Sequence, residues 1–384
     1  MVEWQVREPE GLPPAKAGKE PRRGEKWPGM LGLLLLVMVG ALALRWSVAE
    51  RERAMRADVT AVVAAEEQAR RFGLYEEAAS LAAPDTPVWW QERYAQTFVP
   101  PPEAPPVTVE VQQLELDGRR VLATVHLDGR RQLRAYRLLD RRWHRDRLSL
   151  DDWGVAADRP LPHGMALYYR QRDATFAARL AEALPALLTE VDSWQGEQAI
   201  RLIEIAPREF AGAIVDHDTT VLRLNSPWLL LGAGPLDGEA TIRLALARAF
   251  LKQETPPAAL PGAARLLEAA RARVALRWAL APEEEEALRT VWREVVREGE
   301  WPSPFFSDLR PEEPLDPLAP SRADAAALLM AEYIERVWGD EALAGMAQQV
   351  PVAPTWDHVM REATGLFTYQ IEAATVAYTR GGLQ

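Results

Sequence analysis

One run breaks the pattern of apolar and polar positions near the start of the chain. Trp27 to Leu44, WPGMLGLLLLVMVGALAL, holds 18 residues without a charge. About 20 apolar residues span the hydrocarbon core of a bilayer. Trp46 to Ala49 extend the run, and Arg45 has a stem long enough to snorkel to the interface. The pattern predicts a transmembrane helix over 27–48, with Trp27 and Trp46 in the interfacial belts. From Arg53 to Ala82 the period becomes helical, through Val59, Val62, Val63, Ala69, Phe72, Tyr75 and Ala79, with a break at Gly73. PDTPVWW ends that helix, and FVPPPEAPPV reads as a stiff connector.

The period then drops to two. VTVEVQQLEL and RRVLATVHL alternate apolar with polar and flank an Asp-Gly turn. A second LDGRR at Leu127 to Arg131 makes another turn, and two further strands follow around Asp140. Near Pro160 a new pattern starts. GMALYYR is a short strand, and Asp173 is placed to cap a helix with Phe176, Leu180, Leu184, Leu187, Leu188 and Val191 on one face. Pro185 predicts a kink in it. AIRLIEIA and TTVLRLN are strands. The remainder is helical, over about 238–253, 261–279, 283–298, 322–338, 340–349, 355–364 and 366–380. The fold class is α+β, with a small second sheet and a mostly α-helical C-terminal half.

The first of these orders, helices and then a run of strands closing on YRLLDRRWHRD, resembles the nuclear-transport-factor-like, or SnoaL-like, cone fold over 53–155. That resemblance implies a curved sheet around a helix, in a family that hosts binding modules as well as enzymes. His144, beside Trp143, reads as a strand-packing histidine, and Trp89 and Trp90 as packed aromatic core.

The order from about 160 to 384 resembles the peptidase MA-like, or gluzincin-like, domain. The text that carries it is YYRQRDATFAARLAEAL, AIRLIEIAPREFAGAIVDHDTTVLRLN, ARLLEAARARVALRW, AALLMAEYIERVWGDEALAGMAQQV and TWDHVMREATGLFTYQIEAATVAY. The resemblance implies a His-Glu-x-x-His helix within TIRLALARAF. Laid on this sequence, Leu246 takes the first His, Ala247 the general-base Glu and Phe250 the second His, to within one residue of register. The third ligand falls on Glu268. From Ile242 to Gln253 there is no His, Asp or Glu. A catalytic zinc needs three protein ligands and a base for its water. The implied domain is therefore a peptidase fold without its metal chemistry, its motif helix packed as core and Phe250 filling the former cavity.

Composition narrows the function further. The 384 residues carry a net charge of −11 without a basic block in the body of the chain, which disfavours nucleic acid. There is no cysteine, so disulfides and thiolate chemistry are excluded. The five histidines, His126, His144, His163, His217 and His358, are too scattered to present a helical metal pair. Asp216, His217 and Asp218 form the one acidic–histidine run, read as a solvated turn before a strand, with a metal or acid–base site as the alternative. APEEEEAL is a helix start, with Pro282 near the first position and acids in the first turn.

The expectation is a single-pass membrane protein with a disordered cytoplasmic tail over 1–26 and an inside N-terminus. Residues 27–48 are its membrane contact, and both modules are extracytoplasmic. A cleaved signal peptide ending near Ala41 to Ala43 stays open. No cofactor is expected. Three functions remain: a binding or scaffolding role toward a peptide, protein or cell-envelope ligand; a hydrolase built on Asp216, His217, Asp218 and Glu268; and a purely structural envelope protein.

Overall fold

The computed structural model describes residues 27–96, 108–127, 130–193, 200–218, 220–230, 236–252, 260–297, 299–306 and 315–381. The 1–26 tail and the Pro-rich connector lie outside the described residues. The chain divides into two compact units, Met1–Ala57 and Asp58–Gln384.

The first helix, α1, runs Trp27–Phe72 without interruption. Among the described residues it is the one helix long and apolar enough to cross a membrane. Its side chains from Leu33 to Val39 are all more than half exposed. At its other end the helix stops at Gly73, whose φ of 64° reverses the chain. Two short helices follow, α2 (Tyr75–Leu81) and α3 (Val88–Gln96). The second was not expected, because PDTPVWW reads as a terminator. Its Pro87 lies just ahead of the first turn, where a missing N–H costs nothing.

The first sheet is an antiparallel meander of β1 (Val109–Asp117), β2 (Arg120–Leu127), β3 (Arg130–Leu139) and β4 (Arg142–Asp146), in that order. Gly118 supplies the positive φ of the first turn, and Asp140 and Arg141 both adopt it in the last. The primed turns match the strand twist. Face alternation sorts the side chains. One face turns Arg134, Tyr136 and Arg145 toward the buried Glu66 and Glu67 of α1. The other buries Leu122, Leu133 and Ala135 with Leu148 and Trp153, and Trp228 and Leu229 pack on them.

The second sheet contains β5 (Ala156–Pro160), β6 (Ala166–Arg170), β7 (Leu202–Ile205), β8 (Ile214–His217) and β9 (Val221–Leu224). Its order is β5-β6-β7-β9-β8, so β8 is an edge. The centre is parallel and both edges are antiparallel. β5 falls where the sequence was read as the boundary between modules, so the second sheet begins earlier than 160. β8 takes in Asp216 and His217 of the DHD run that read as a turn, and Asp218 follows it. Leu167, Ile203, Ile205, Leu222 and Leu224 bury one face against helices.

Those helices are α4 (Ala174–Ser193), α5 (Gly238–Leu251), α6 (Ala263–Ala279), α7 (Pro282–Arg297), α8 (Arg322–Trp338), α9 (Asp340–Gln349), α10 (Trp356–Thr364) and α11 (Thr368–Gly381). All lie where the apolar period predicted them. α6 is the hub, buried almost all round. It carries arginines into that core because its neighbours supply carboxylates. Arg265 meets Asp324 at 3.0 Å, and Arg273 meets Glu285 at 2.9 Å and Glu335 at 2.7 Å. Gly262 precedes α6 with φ 72°, and a Cβ there would collide with Pro304 O and Phe305.

The least replaceable contacts join α1 to the first sheet. Arg134, 1% exposed, bonds Glu67 at 2.6 Å, Glu66 at 3.0 Å and Gln132 at 2.8 Å. Tyr136 donates to Glu66 at 2.9 Å. Burial opposes ionisation of Glu66, but Arg134, Arg145 and Arg70 outweigh it and hold its pKa below the usual carboxylate value. Arg134→Ala leaves two buried carboxylates without their shared cation. It is expected to destabilise the full-length chain in detergent by about 3–5 kcal/mol, read from urea unfolding followed by tryptophan fluorescence.

Candidate functional site

Helix α5 carries the stretch TIRLALARAF. Asp237 caps it, accepting from Ala240 N at 2.8 Å. Gly238 must be glycine, because a Cβ there would sit 2.7 Å from Pro227 O and 2.8 Å from Leu230 O. Ala240, Leu244, Ala247 and Leu251 are buried, and so are Ile242, Leu246 and Phe250. Among the residues left partly exposed is a stripe at helical spacing, Thr241, Ala245, Arg248 and Ala249, which leads to the exposed Lys252.

From Ala245 onward that stripe is one wall of a groove of about 390 Å³. Edge strand β8 contributes Ile214 and His217, and α6 contributes Glu268, Arg271 and Ala272. The lining is apolar at its alanines and charged at its rim. Glu268 accepts from Arg271 at 2.8 Å, and Arg248 donates to Leu315 O at 2.6 Å.

The residues singled out from sequence separate here. Glu268 and His217 line the groove together. Leu246, Ala247 and Phe250 lie on the buried side of α5 and do not line it. The groove is lined one residue earlier, by Ala245 and Ala249. Asp216 turns away to the other face of the sheet, where Arg223 joins it at 2.7 Å and Glu204 at 2.9 Å. Asp218 N closes the β8–β9 turn on Val221 O. Among the described residues, no three His, Cys, Asp or Glu side chains are grouped to hold a metal. Reading the sequence missed Ala245, Arg248, Ala249, Lys252 and Arg271. Small and basic residues carry no motif, and only the choice of helix face identifies them.

β8 owes its place to Asn225, which is fully buried. Its side-chain carbonyl accepts from Arg208 N and Ser226 N, and its amide donates to Arg208 O and Ala211 O. One asparagine thus fixes the loop that delivers the chain to β8. That strand carries a bulge: Ile214 pairs with Leu224 and Asp216 with Arg223, so Val215 is the extra residue.

No family model, curated protein or solved structure matches this chain. What the site can do is therefore argued from its own geometry.

A second buried group lies where the two sheets meet. Asp173 was expected to cap α4. Instead its Oδ1 accepts from Ser226 Oγ at 2.6 Å, and Ser226 accepts from Trp153 Nε1 at 3.1 Å. Oδ2 has no hydrogen-bond partner among the described residues. Burial pushes the Asp173 carboxyl up to about 7, against the Ser226 bond and the Arg172 charge, while Glu239 adds to the rise. A raised carboxyl stabilises the fold fully below its unfolded value, near 3.8, and loses that contribution as pH rises through about 7. Asp173→Asn is always neutral. Its stability relative to wild type is expected to climb from pH 4 to pH 8, by up to about 4 kcal/mol, in thermal melts across that range. A flat difference would show that Asp173 ionises normally.

Proposed function

We propose that the chain is a membrane-anchored extracytoplasmic protein with a cone-fold-like module and a catalytically silent peptidase MA-like, gluzincin-like module. The second module binds an extended peptide or protein segment at β8. The observation that carries this is a strand edge, unpaired among the described residues, running beside a groove walled by Ala245 and Ala249. An extended segment adds to such an edge through its main chain, and adjacent pockets select its side chains. Set one residue earlier than first laid, the two histidines of the family motif fall on Ala245 and Ala249, and the base falls on the buried Leu246. Where that family would place a metal, this helix supports open space over small side chains, with Glu268 opposite.

One observation favours a second reading, a hydrolase: His217 and Glu268 share the groove. The two readings separate cleanly. The purified chain is expected to hold well under 0.1 equivalents of zinc by elemental analysis and to cleave no peptide. Stoichiometric zinc with chelator-sensitive turnover would establish the hydrolase. Peptides selected by the chain from a random library are expected to lose at least tenfold in affinity with Ala249→Trp, which fills the groove. They should be unaffected by Tyr168→Trp on the open face of the sheet.

The anchor is supported by the exposed apolar stretch of α1. The chain has no native cysteine, so single replacements report topology without background. Asp117→Cys is expected to react with an impermeant maleimide from outside the membrane, and Lys19→Cys only after permeabilisation. The opposite pattern would reverse the orientation.

A further inference from the structure

On the far side of Val215 a second, larger groove opens, of about 740 Å³. It is formed by α3, the turn after β4 and the loop that Asn225 fixes. Its distinctive residues are Trp89, Arg93, Arg147, Leu150, Arg208 and Val215. Trp89 is 56% exposed and Leu150 55%, so the groove offers apolar surface to solvent. This corrects the expectation that Trp89 joins Trp90 in the core.

The charge is the informative part. None of the Arg93, Arg147 and Arg208 guanidinium groups makes an ion pair or side-chain hydrogen bond among the described residues. The one acid in the lining is Glu209, and it is fully committed. Its carboxylate accepts from Arg145 at 3.1 Å, Trp90 Nε1 at 2.9 Å and Leu148 N at 3.0 Å. Three uncompensated cations therefore surround one groove in a chain of net charge −11. Other arginines of this fold do have carboxylate partners, Arg120, Arg172 and Arg273 among them.

Neighbouring residues of β8 line the two grooves: Ile214 and His217 the smaller, Val215 the larger. A segment paired with this edge directs alternate side chains to opposite faces. We propose that the bound segment is acidic, with apolar residues entering the alanine-walled groove and carboxylates, at alternate positions, meeting Arg93, Arg147 and Arg208 beside Trp89. Guanidinium groups match carboxylates as paired donors. The assignment rests on the edge-strand reading above and adds the charge of the partner.

Three labelled ten-residue peptides test it: alternating Val-Glu, Val-Gln and Val-Lys, each titrated against the full-length chain in detergent. The Val-Glu probe is expected to bind at least tenfold tighter than Val-Gln, with an advantage that shrinks as salt rises. The exposed triple variant Arg93→Gln, Arg147→Gln, Arg208→Gln should erase that preference and leave Val-Gln binding unchanged. Ala249→Trp should weaken Val-Glu and Val-Gln alike. Equal binding of Val-Glu and Val-Gln, or an acid preference that survives the triple variant, would overturn the acidic assignment alone. Absence of binding by every probe would instead remove the edge-strand reading beneath it. Anionic vesicles are the control. If they bind through the same three arginines and Val-Glu gains nothing over Val-Gln, the groove is a lipid contact and the proposal fails.

Discussion

Everything in the larger unit depends on how Glu66 is kept ionised without water. Its carboxylate is enclosed by Arg134 and Tyr136 of β3, with Arg145 of β4 further out. Arg145 in turn reaches Glu209, in the loop before β8. One chain of opposite charges therefore ties α1, the first sheet and the loop before β8 together. A buried ion pair contributes little net stability compared with a well-packed apolar replacement. What it supplies is position. Arg134 meets both Glu66 and Glu67 only if α1 has one rotation about its axis. The burial of Trp90 and Tyr94 beside Phe210 rests on the same arrangement, since Trp90 also donates to Glu209. Phe210 adopts φ 63°, a conformation such a residue holds only where its surroundings impose it.

The site follows from that rigidity and from residue size. A groove beside α5 exists because Ala245, Ala249 and Ala272 stop at Cβ while their neighbours fill the core. Had the stripe carried the leucines of the adjoining face, the helix would pack flush and the edge of β8 would have no pocket beside it. The two grooves differ in kind. One is walled by alanines, and Glu268, Arg271 and Arg248 at its rim have partners. The other displays a tryptophan and arginines that lack them.

The helical half was legible almost residue by residue. Amphipathic periods of ten residues or more leave little choice, and Asp237, Ser321 and Thr355 cap their helices with side-chain oxygens. The first meander was equally open, because alternation and the Asp-Gly turn agree. The misses have physical causes. β5 and β8 span only 5 and 4 residues, too short to establish a period, and both are edges with little to bury. α3 hides behind prolines that read as breakers. Of the site, Glu268 and His217 were found by type, since acids and histidines draw notice. The alanines and arginines were not. Their meaning is positional, and a half-turn of helix separates a core residue from a groove wall. Asp173 was assigned by the commonest habit of its residue type, whereas a serine 53 positions away takes its carboxylate.

The bulge at Val215 has a consequence for the molecule as a whole. A free strand edge is a template that copies of the same chain can extend without limit. Here the exposed edge is four residues long, broken in its middle, and ends in Asp216 and His217. A second copy of β8 laid against it would set aspartate near aspartate and meet the same break. On the proposed reading, the strand that would take one foreign segment is thus poorly made for its own kind.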